Sequence, residues 1–268
     1  MLTLGCSLHD ILGTSYAENM KHAANAGFKS VFALWNDDMD TEAYMNNAAK
    51  CGLTVESFHA PFVNYSKIWE EDDEGDRATE IIKHCIRVAA EYKVPYVVSH
   101  VISTLDAPLT SNLGLCRFGK IVIEAEKYGV TLCFENTEYI RHLALVFSTF
   151  ASPKFCYDVG HEHCFTPGIR TMGMFGERLG FLHLHDNLGM NKSYRASHDD
   201  DLHRIPFEGD IDWTKTLTEI KKSGFDGTLM LETDPGHDLG FYGSITAEEY
   251  YAKSFAGAKK LAELYETL

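Results

Sequence analysis

The sequence lacks the features of several large classes of protein. No segment approaches the roughly 18 uninterrupted apolar residues that a membrane span needs, and no basic stretch followed by an apolar one marks the N-terminus as a secretory leader. The seven cysteines are an odd number and form no Cys-x-x-Cys pair, so neither a disulfide framework nor a thiolate zinc site is indicated. We therefore expect a soluble cytoplasmic protein without membrane contacts.

Positive charge is also scarce. The chain has 24 Lys+Arg against 39 Asp+Glu, a formal net charge of −15. A nucleic acid backbone is attracted by a positive field, so this balance argues against a nucleic acid partner. Glycine-rich phosphate loops are missing as well, because the first predicted strand runs into Cys6-Ser-Leu-His-Asp10 and no Gly-x-x-x-x-Gly-Lys-Ser/Thr occurs. Nucleotide binding is therefore not indicated.

The 268 residues do contain a regular alternation of short β-rich runs and longer amphipathic segments. The eight predicted strands are Leu2–Leu8, Ser30–Leu34, Leu53–Phe58, Tyr96–Val101, Thr131–Glu135, Phe155–Val159, Gly180–His185 and Thr228–Glu232. The predicted helices include Ser15–Ala26, Thr41–Cys51, Asp76–Tyr92, Gly114–Tyr128, Asp212–Lys222 and Thr246–Tyr265. Eight such units in about 250 residues predict an α/β protein with a single (β/α)8 TIM barrel domain over residues 1–268. A doubly wound open sheet is the alternative, but it usually carries a glycine-rich turn after its first strand.

Residues of the types that bind metals recur where the predicted strands end. Active sites of (β/α)8 barrels lie at the C-terminal ends of the strands. From the third strand onward, every strand ends at or near a histidine or an acidic residue: His59, His100, Glu135, Asp158 with His161, His183 with His185, and Glu232. The Asp201-x-His203 spacing after the seventh strand places two more such side chains on one face of an extended segment.

A divalent metal site explains this coincidence better than six separate structural roles. One buried imidazole is usually a satisfied structural group, and one Asp after a strand is usually a turn former or a helix N-cap. Six such groups at equivalent positions converge on one point, and burying each of them unpaired would cost several kcal/mol. Mixed histidine and carboxylate ligands suit Zn²⁺, Mn²⁺, Co²⁺ or Fe²⁺.

The order and spacing of these motifs resemble the xylose-isomerase-like barrels, a superfamily that groups sugar isomerases and epimerases with barrel-type apurinic endonucleases. The matching segments are Phe134-Glu135-Asn136, Asp158-Val-Gly-His161, His183-Leu-His-Asp186, Asp201-Leu-His203, Glu208-Gly-Asp-Ile-Asp-Trp213 and Gly224–Glu232. The resemblance implies a principal metal held by Glu135, Asp158, His183 and Glu232. In the endonuclease branch two further metals are held by His59 with His100, and by His161 with Asp201 and His203. One to three divalent ions (Zn²⁺, Mn²⁺ or Co²⁺) per chain are therefore implied.

The preferred function is a divalent-metal-dependent isomerase or epimerase of a sugar or sugar phosphate. Glu135 and Glu232 would act as base and acid on opposite faces of the carbon beside the carbonyl, while the metal stabilises the enediolate. We expect His185, Arg204 and Trp35 to contact the substrate. Because barrel enzymes of this type often pair through their loops, a homo-oligomer is also expected.

Two other functions would use the same residues. An apurinic-endonuclease-like hydrolase with several zinc ions would activate water against a phosphodiester, and a non-catalytic barrel would bind metal or sugar without turnover. The acidic run at 70–76, placed here in the loop after the third strand, is most simply a solvated lead-in to the following helix, and in either role it would repel a DNA backbone. Gly189 stands where the ketohexose epimerases carry an arginine, which weakens an assignment to free ketohexoses.

Overall fold

The protein is a single (β/α)8 TIM barrel in the computed structural model, which describes residues 2–193 and 195–268. Its parallel strands are β1 (Leu4–Ser7), β2 (Ser30–Leu34), β3 (Thr54–His59), β4 (Tyr96–His100), β5 (Thr131–Glu135), β6 (Lys154–Asp158), β7 (Leu179–His183) and β8 (Leu229–Leu231). Strands that follow one another from β1 to β7 are paired, and β1 also pairs with β8. A bridge between Leu184 and Leu231 joins β7 to β8 and completes the circle. The predicted fold class is therefore confirmed.

Helices surround this ring of strands. Over the described residues they are α1 (Tyr16–Ala26), α2 (Thr41–Lys50), α3 (Tyr65–Ile68), α4 (Asp73–Glu91), α5 (Asn112–Tyr128), α6 (Ile140–Thr149), α7 (Val159–Phe165), α8 (Thr171–Phe175), α9 (Trp213–Lys222), α10 (Leu239–Tyr242) and α11 (Ala247–Thr267). The six helices predicted from the sequence are all present, with ends shifted by at most three residues. In the described part of the chain, none of the helices is long and apolar enough to cross a membrane.

The acidic run at 70–76 leads into helix α4, in agreement with the helix lead-in expected from the sequence. Helix α4 begins at Asp73, and the side chain of Asp72 caps its N-terminus. Acidic side chains in a first turn interact favourably with the positive end of the helix dipole. Buried Arg117 donates to four backbone oxygens in residues 67–72 and to the Asp76 carboxylate. Much of the run therefore has a structural role.

The barrel interior is apolar beneath the ends of the strands. One buried cluster within it consists of Phe32, Val98, Cys133, Cys156, Phe181 and Met230. A second and larger apolar cluster packs the helices against the outside of the sheet. Burial of this apolar surface is the main driving force for the fold. It also places an apolar layer beneath the polar residues at the C-terminal strand ends. Electrostatic interactions are strong in such a low-dielectric environment.

Candidate metal centre and its cavity

Six strand ends bring histidine and carboxylate side chains together, as the barrel topology predicts. Five of these residues are the last residue of β3, β4, β5, β6 or β7, and Glu232 directly follows β8. All six are less than 10% exposed: His59, His100, Glu135, Asp158, His183 and Glu232. The geometry therefore concentrates these side chains at one end of one barrel.

Four of these residues form a compact centre. The candidate ligand atoms of Glu135, Asp158, His183 and Glu232 all lie within 4.8 Å of one another. Nδ1 of His183 lies 3.1 Å from Oε2 of Glu135 and 3.0 Å from Oε2 of Glu232. We call this set the central group. One imidazole and three carboxylates are a donor set that suits Zn²⁺ or Mn²⁺.

Two further groups flank the central group. The first consists of His59 and His100, whose Nε2 atoms lie 3.5 and 3.7 Å from Oε2 of Glu135. Glu135 therefore belongs to both groups.

The second flanking group consists of His161, His185, Asp201 and His203. Oδ2 of Asp201 lies 3.2 Å from Nε2 of His161 and 3.0 Å from Nε2 of His203. His185 stacks face to face on His203, with ring centroids 4.0 Å apart, and its Nε2 lies 3.2 Å from both oxygens of Asp158. His185 therefore links the second flanking group to Asp158 of the central group.

Backbone carbonyls orient the imidazoles of both flanking groups. Nδ1 of His59 donates to the Ala60 carbonyl at 2.8 Å, and Nδ1 of His203 donates to the Glu232 carbonyl at 2.7 Å. A carbonyl only accepts, so each Nδ1 carries a proton, and each Nε2 is the nitrogen that faces a carboxylate of the cluster. A second ring nitrogen bonded in this way is typical of histidines that bind metals.

The carboxylates of Glu135 and Asp201 are strongly biased toward the ionised form. Burial alone would raise the pKa of Glu135, but the adjacent imidazoles of His183 and His100 outweigh burial and hold that pKa well below its usual range. Burial likewise opposes ionisation of Asp201, yet His203 and His161 hold its pKa well below normal. Ionised carboxylates are the form that binds a cation.

The imidazoles of His183 and His203 show the reciprocal effect. Burial alone lowers the pKa of His203, but Asp201 outweighs it and raises that pKa to about 10. The pKa of His183 is raised well above normal against the effect of burial, by Cys156, Glu232 and Glu135. A cation that binds these imidazoles must displace their protons, so metal binding here releases protons.

Unpaired buried atoms show that this cluster fits a metal. Among the described residues, no hydrogen bond with acceptable angles is made by either oxygen of Glu135, either ring nitrogen of His183, Oδ1 of Asp201 or Oε2 of Glu232, although Nδ1 of His183 lies close to both glutamates. Buried polar atoms are nearly always paired, and an unpaired one costs about 1–3 kcal/mol. A divalent cation would satisfy several of these atoms at once, so the residues present fit the implied metal.

A cavity of about 250 Å³ opens above the cluster. Its lining residues are Ser7, His9, Phe32, Leu34, His59, Phe62, His100, Ser103, Glu135, Thr137, Glu138, His161, Phe165, His198, Asp201, His203, Glu232, Asp234 and His237. No lysine or arginine is present among these described residues. The cavity therefore offers carboxylates, imidazoles, hydroxyls and aromatic rings to a ligand.

The structure does not bring the three expected substrate contacts to this cavity. Trp35 is 3% exposed and donates its indole N–H to Oγ1 of Thr41 at 3.1 Å, so it belongs to the core. Arg204 donates to Oδ2 of Asp238 at 2.8 Å and lies over a neighbouring aromatic ring. His185 faces Asp158 and does not line the cavity. The expected contacts of these three residues with a substrate therefore find no support in the cavity lining.

The cavity lining includes polar residues that the sequence did not predict, among them His9 and Glu138. His9 follows the first predicted strand, and its Nε2 lies 3.0 Å from Oδ2 of Asp234. Its position directly after the first predicted strand is the same signal that marks the histidines at the later strand ends. Glu138 lies three residues beyond β5, and no signal in the sequence distinguishes it from a residue of the following turn.

Fold and site together define a class of protein. It is a (β/α)8 barrel whose strand ends converge on buried histidines and carboxylates. Comparison with known families is more specific. The profile of the family described as "Xylose isomerase-like TIM barrel" matches residues 20–261, so the chain belongs to the xylose isomerase-like TIM barrel family. The resemblance inferred from the motifs is therefore confirmed.

The individual relatives described next share between 12% and 26% sequence identity with this chain. "Uncharacterized protein y4fM" of Sinorhizobium fredii (strain NBRC 101917 / NGR234) is 26% identical over 297 residues, or 93% of this chain and 90% of that protein. A solved xylose isomerase-like TIM barrel/4-hydroxyphenylpyruvate dioxygenase fusion protein matches with a TM-score of 0.78 and 16% identity, over 98% of this chain and 43% of the fusion protein. D-Psicose 3-epimerase from Clostridium cellulolyticum H10, solved with D-tagatose, matches with a TM-score of 0.76 and 12% identity, over 98% of this chain and 99% of that one. At such identities the structures show a shared fold.

Proposed function

We propose that this protein is a divalent-metal-dependent isomerase or epimerase of a sugar. The observation that carries the proposal is the pair Glu135 and Glu232. Their carboxylates lie 3.1 and 3.0 Å from the same nitrogen of His183, and both residues line the cavity. Two carboxylates on one buried centre provide an acid and a base for moving a proton on carbon. The sugar 3-epimerase among the structural neighbours is consistent with this chemistry.

Each residue of the central group has a role in this reaction. Glu135, Asp158, His183 and Glu232 would hold the cation, which when bound would polarise the sugar carbonyl and lower the pKa of the adjacent C–H group. One glutamate then takes the proton from that carbon. Return of a proton by the opposite glutamate would invert the carbon, and return to the neighbouring carbon would move the carbonyl. His185, 3.2 Å from both oxygens of Asp158, holds that carboxylate in place.

The lining of the cavity favours a neutral sugar over a sugar phosphate. A phosphate group is usually bound by arginine, lysine or a helix N-terminus. The described residues that line this cavity include no lysine or arginine, and Arg204 is already paired with Asp238. Asp234 and Glu138 add carboxylates to the lining beyond the proposed ligands. The cavity is therefore suited to hydroxyl groups and repels anions.

A metal-dependent phosphodiester hydrolase is the second candidate, and the two flanking groups favour it. A hydrolase that works through several metals needs more than one ligand set, and both flanking sets are assembled beside Glu135.

The charge of the site distinguishes the isomerase from the hydrolase. Six carboxylates lie in the ligand groups or the cavity lining: Glu135, Glu138, Asp158, Asp201, Glu232 and Asp234. One divalent cation neutralises two of these charges and leaves the site anionic, whereas three cations would neutralise all six and allow a phosphate to enter.

Solvent-deuterium exchange tests the proposed function. The protein is loaded with Mn²⁺, Co²⁺ or Zn²⁺ and incubated in D₂O with ketoses, aldoses, inosose-type cyclitols and their phosphates. We expect deuterium to enter a neutral member of the panel. Glu135→Gln should abolish that exchange while leaving the fold intact, because the amide cannot accept the proton and also weakens the metal site. Glu263→Gln is the matched control, since Glu263 is 65% exposed and is not among the residues that line the cavity.

The other outcomes identify the competing functions. Exchange that persists in Glu135→Gln would show that the acid and base are assigned wrongly. Nicking of abasic-site DNA by the loaded protein, without exchange into any sugar, would replace the isomerase with the hydrolase. Binding of sugars without exchange or nicking would point to the non-catalytic barrel.

A further inference from the structure

Glu138 is a carboxylate of the cavity that the proposed reaction does not use. It lies in the loop between β5 and α6, lines the cavity, and has a side chain only 4% exposed. Nε2 of His198 donates to its Oε1 at 2.8 Å. Its Oε2 is buried, and no partner for it is found among the residues that the structure describes. One oxygen of Glu138 is therefore held by the protein, and the other remains available as an acceptor.

We infer that Glu138 is a substrate-binding residue that accepts a hydrogen bond from a hydroxyl group of a neutral polyol. The inference rests on the proposed function and deepens it by naming the substrate class. An ionised carboxylate can only accept hydrogen bonds, so its complement is a donor and not a phosphate or another carboxylate. A buried acceptor without a partner is costly in the free protein, and a substrate hydroxyl would relieve that cost on binding.

The surroundings of Glu138 match a polyol. His198 is 57% exposed whereas Glu138 is 4% exposed, so this pair runs from the solvent edge into the cavity. Phe165, another lining residue, packs edge-on against His198 at 5.8 Å and tilts against His161 at 5.3 Å. An aromatic ring next to a hydrogen-bonding carboxylate offers both an apolar face for C–H groups and an acceptor for hydroxyls.

A purely structural role for Glu138 makes different predictions. The bond from His198 joins the β5–α6 loop to the 3₁₀ turn at His198–Asp200, so it could serve only to connect two loops. Glu138→Gln separates the two roles, because a glutamine oxygen still accepts from His198 but lacks the negative charge. A connecting role would be kept in Glu138→Gln, whereas recognition of a hydroxyl by a charged acceptor would be weakened.

Titration calorimetry with D-fructose, D-tagatose and myo-inositol, each with and without Mn²⁺, tests the inference, and fructose 6-phosphate is the charged comparison. We expect wild-type protein to bind at least one neutral probe more tightly than the phosphate. Glu138→Ala should weaken that binding roughly 10- to 100-fold, as expected for a hydrogen bond to a charged group, and Glu138→Gln by less. Mn²⁺ affinity should stay unchanged in both variants, and Glu263→Gln should behave as wild type.

Three results would overturn the inference: no neutral probe binds to the wild type, the phosphate binds more tightly, or both Glu138 variants keep wild-type affinity. Failure of this inference can be distinguished experimentally from failure of the proposed function. Polyol binding that depends on Glu138, without any deuterium exchange, would refute the isomerase and leave the binding role standing. Deuterium exchange that needs Glu135 but is unaffected in Glu138→Ala would support the isomerase and refute the binding role of Glu138.

Discussion

Replacing Gly160 with alanine would perturb the central group without removing any proposed ligand. Gly160 lies in α7, and a Cβ atom there would come within 2.5 Å of Nε2 of His185 and closer still to Cε1. His185 is fully buried, stacked on His203 at 4.0 Å, and 3.2 Å from both oxygens of Asp158. The ring therefore cannot move without disturbing Asp158 or His203.

The size of the effect follows from these distances. Carbon atoms in contact prefer separations of about 3.5–4.0 Å, so the ring of His185 must shift by about 1 Å or more. Overpacking of this kind costs about 1–3 kcal/mol of unfolding free energy. Loss of a residue that orients a metal ligand typically lowers metal affinity about 10- to 100-fold. We expect both effects in Gly160→Ala.

Urea denaturation and Mn²⁺ titration calorimetry measure the two effects. Gly173→Ala is the matched control, because its nearest neighbour would be Cβ of Arg170 at 4.0 Å, so the new methyl group is accommodated. We expect wild-type Mn²⁺ affinity in the control, with stability unchanged or raised by about 0.4–1 kcal/mol. A folded Gly160→Ala protein with wild-type Mn²⁺ affinity would refute the role assigned to His185.

Three further variants test other parts of the structure. Arg117→Met removes the donor to four backbone oxygens and Asp76, so urea denaturation should show a loss of about 2–4 kcal/mol with unchanged Mn²⁺ affinity. Asp186→Asn replaces a buried carboxylate that accepts from three backbone N–H groups and one indole N–H, so a similar loss is expected by urea denaturation. Burial opposes ionisation of Asp234, but His9 lowers its pKa from 3.8 to about 2, so Asp234→Asn should cost about 2 kcal/mol at pH 6.

The pH dependence of Asp234→Asn has a definite sign. A lowered carboxyl pKa stabilises the fold above the unfolded value of 3.8, and that stabilisation is lost as the pH falls through about 2. Urea curves of wild type and variant should therefore converge between pH 4 and pH 2. A constant difference would contradict the bond to His9.

For Arg117→Met, a free energy of unfolding within about 0.5 kcal/mol of wild type would contradict the structural role of Arg117. The same result for Asp186→Asn would contradict the role of Asp186.

The strand-end residues could be predicted from sequence because topology alone decides where they lie. Once the β-rich runs are assigned to a parallel barrel, the last residues of β5 and β7 must face the same end, whatever the packing. Glu135 and His183 illustrate this. They are 48 positions apart in the sequence, yet Oε2 of Glu135 lies 3.1 Å from Nδ1 of His183. The principal ligand set implied by the family resemblance meets in the structure for the same reason.

Side-chain direction could not be predicted in the same way. Trp35 follows β2, but its indole turns to Thr41 and into the core. Arg204 is next to His203, yet it is drawn to Asp238 in the loop after β8, a partner that only the tertiary structure supplies. Glu138 acquires its setting from His198, 60 positions later in the chain. Such long-range pairings carry no local periodicity or spacing in the sequence.

The metal content of the purified chain tests the central claim most directly. Elemental analysis of protein exposed to Mn²⁺, Co²⁺ or Zn²⁺ and then desalted should find about one tightly bound ion per chain. That ion should be lost in Glu135→Gln, because Glu135 belongs to the central group, and kept in Glu263→Gln. About three ions per chain would favour the hydrolase instead. A wild-type chain that retains none of these metals would contradict a metal centre at the strand ends.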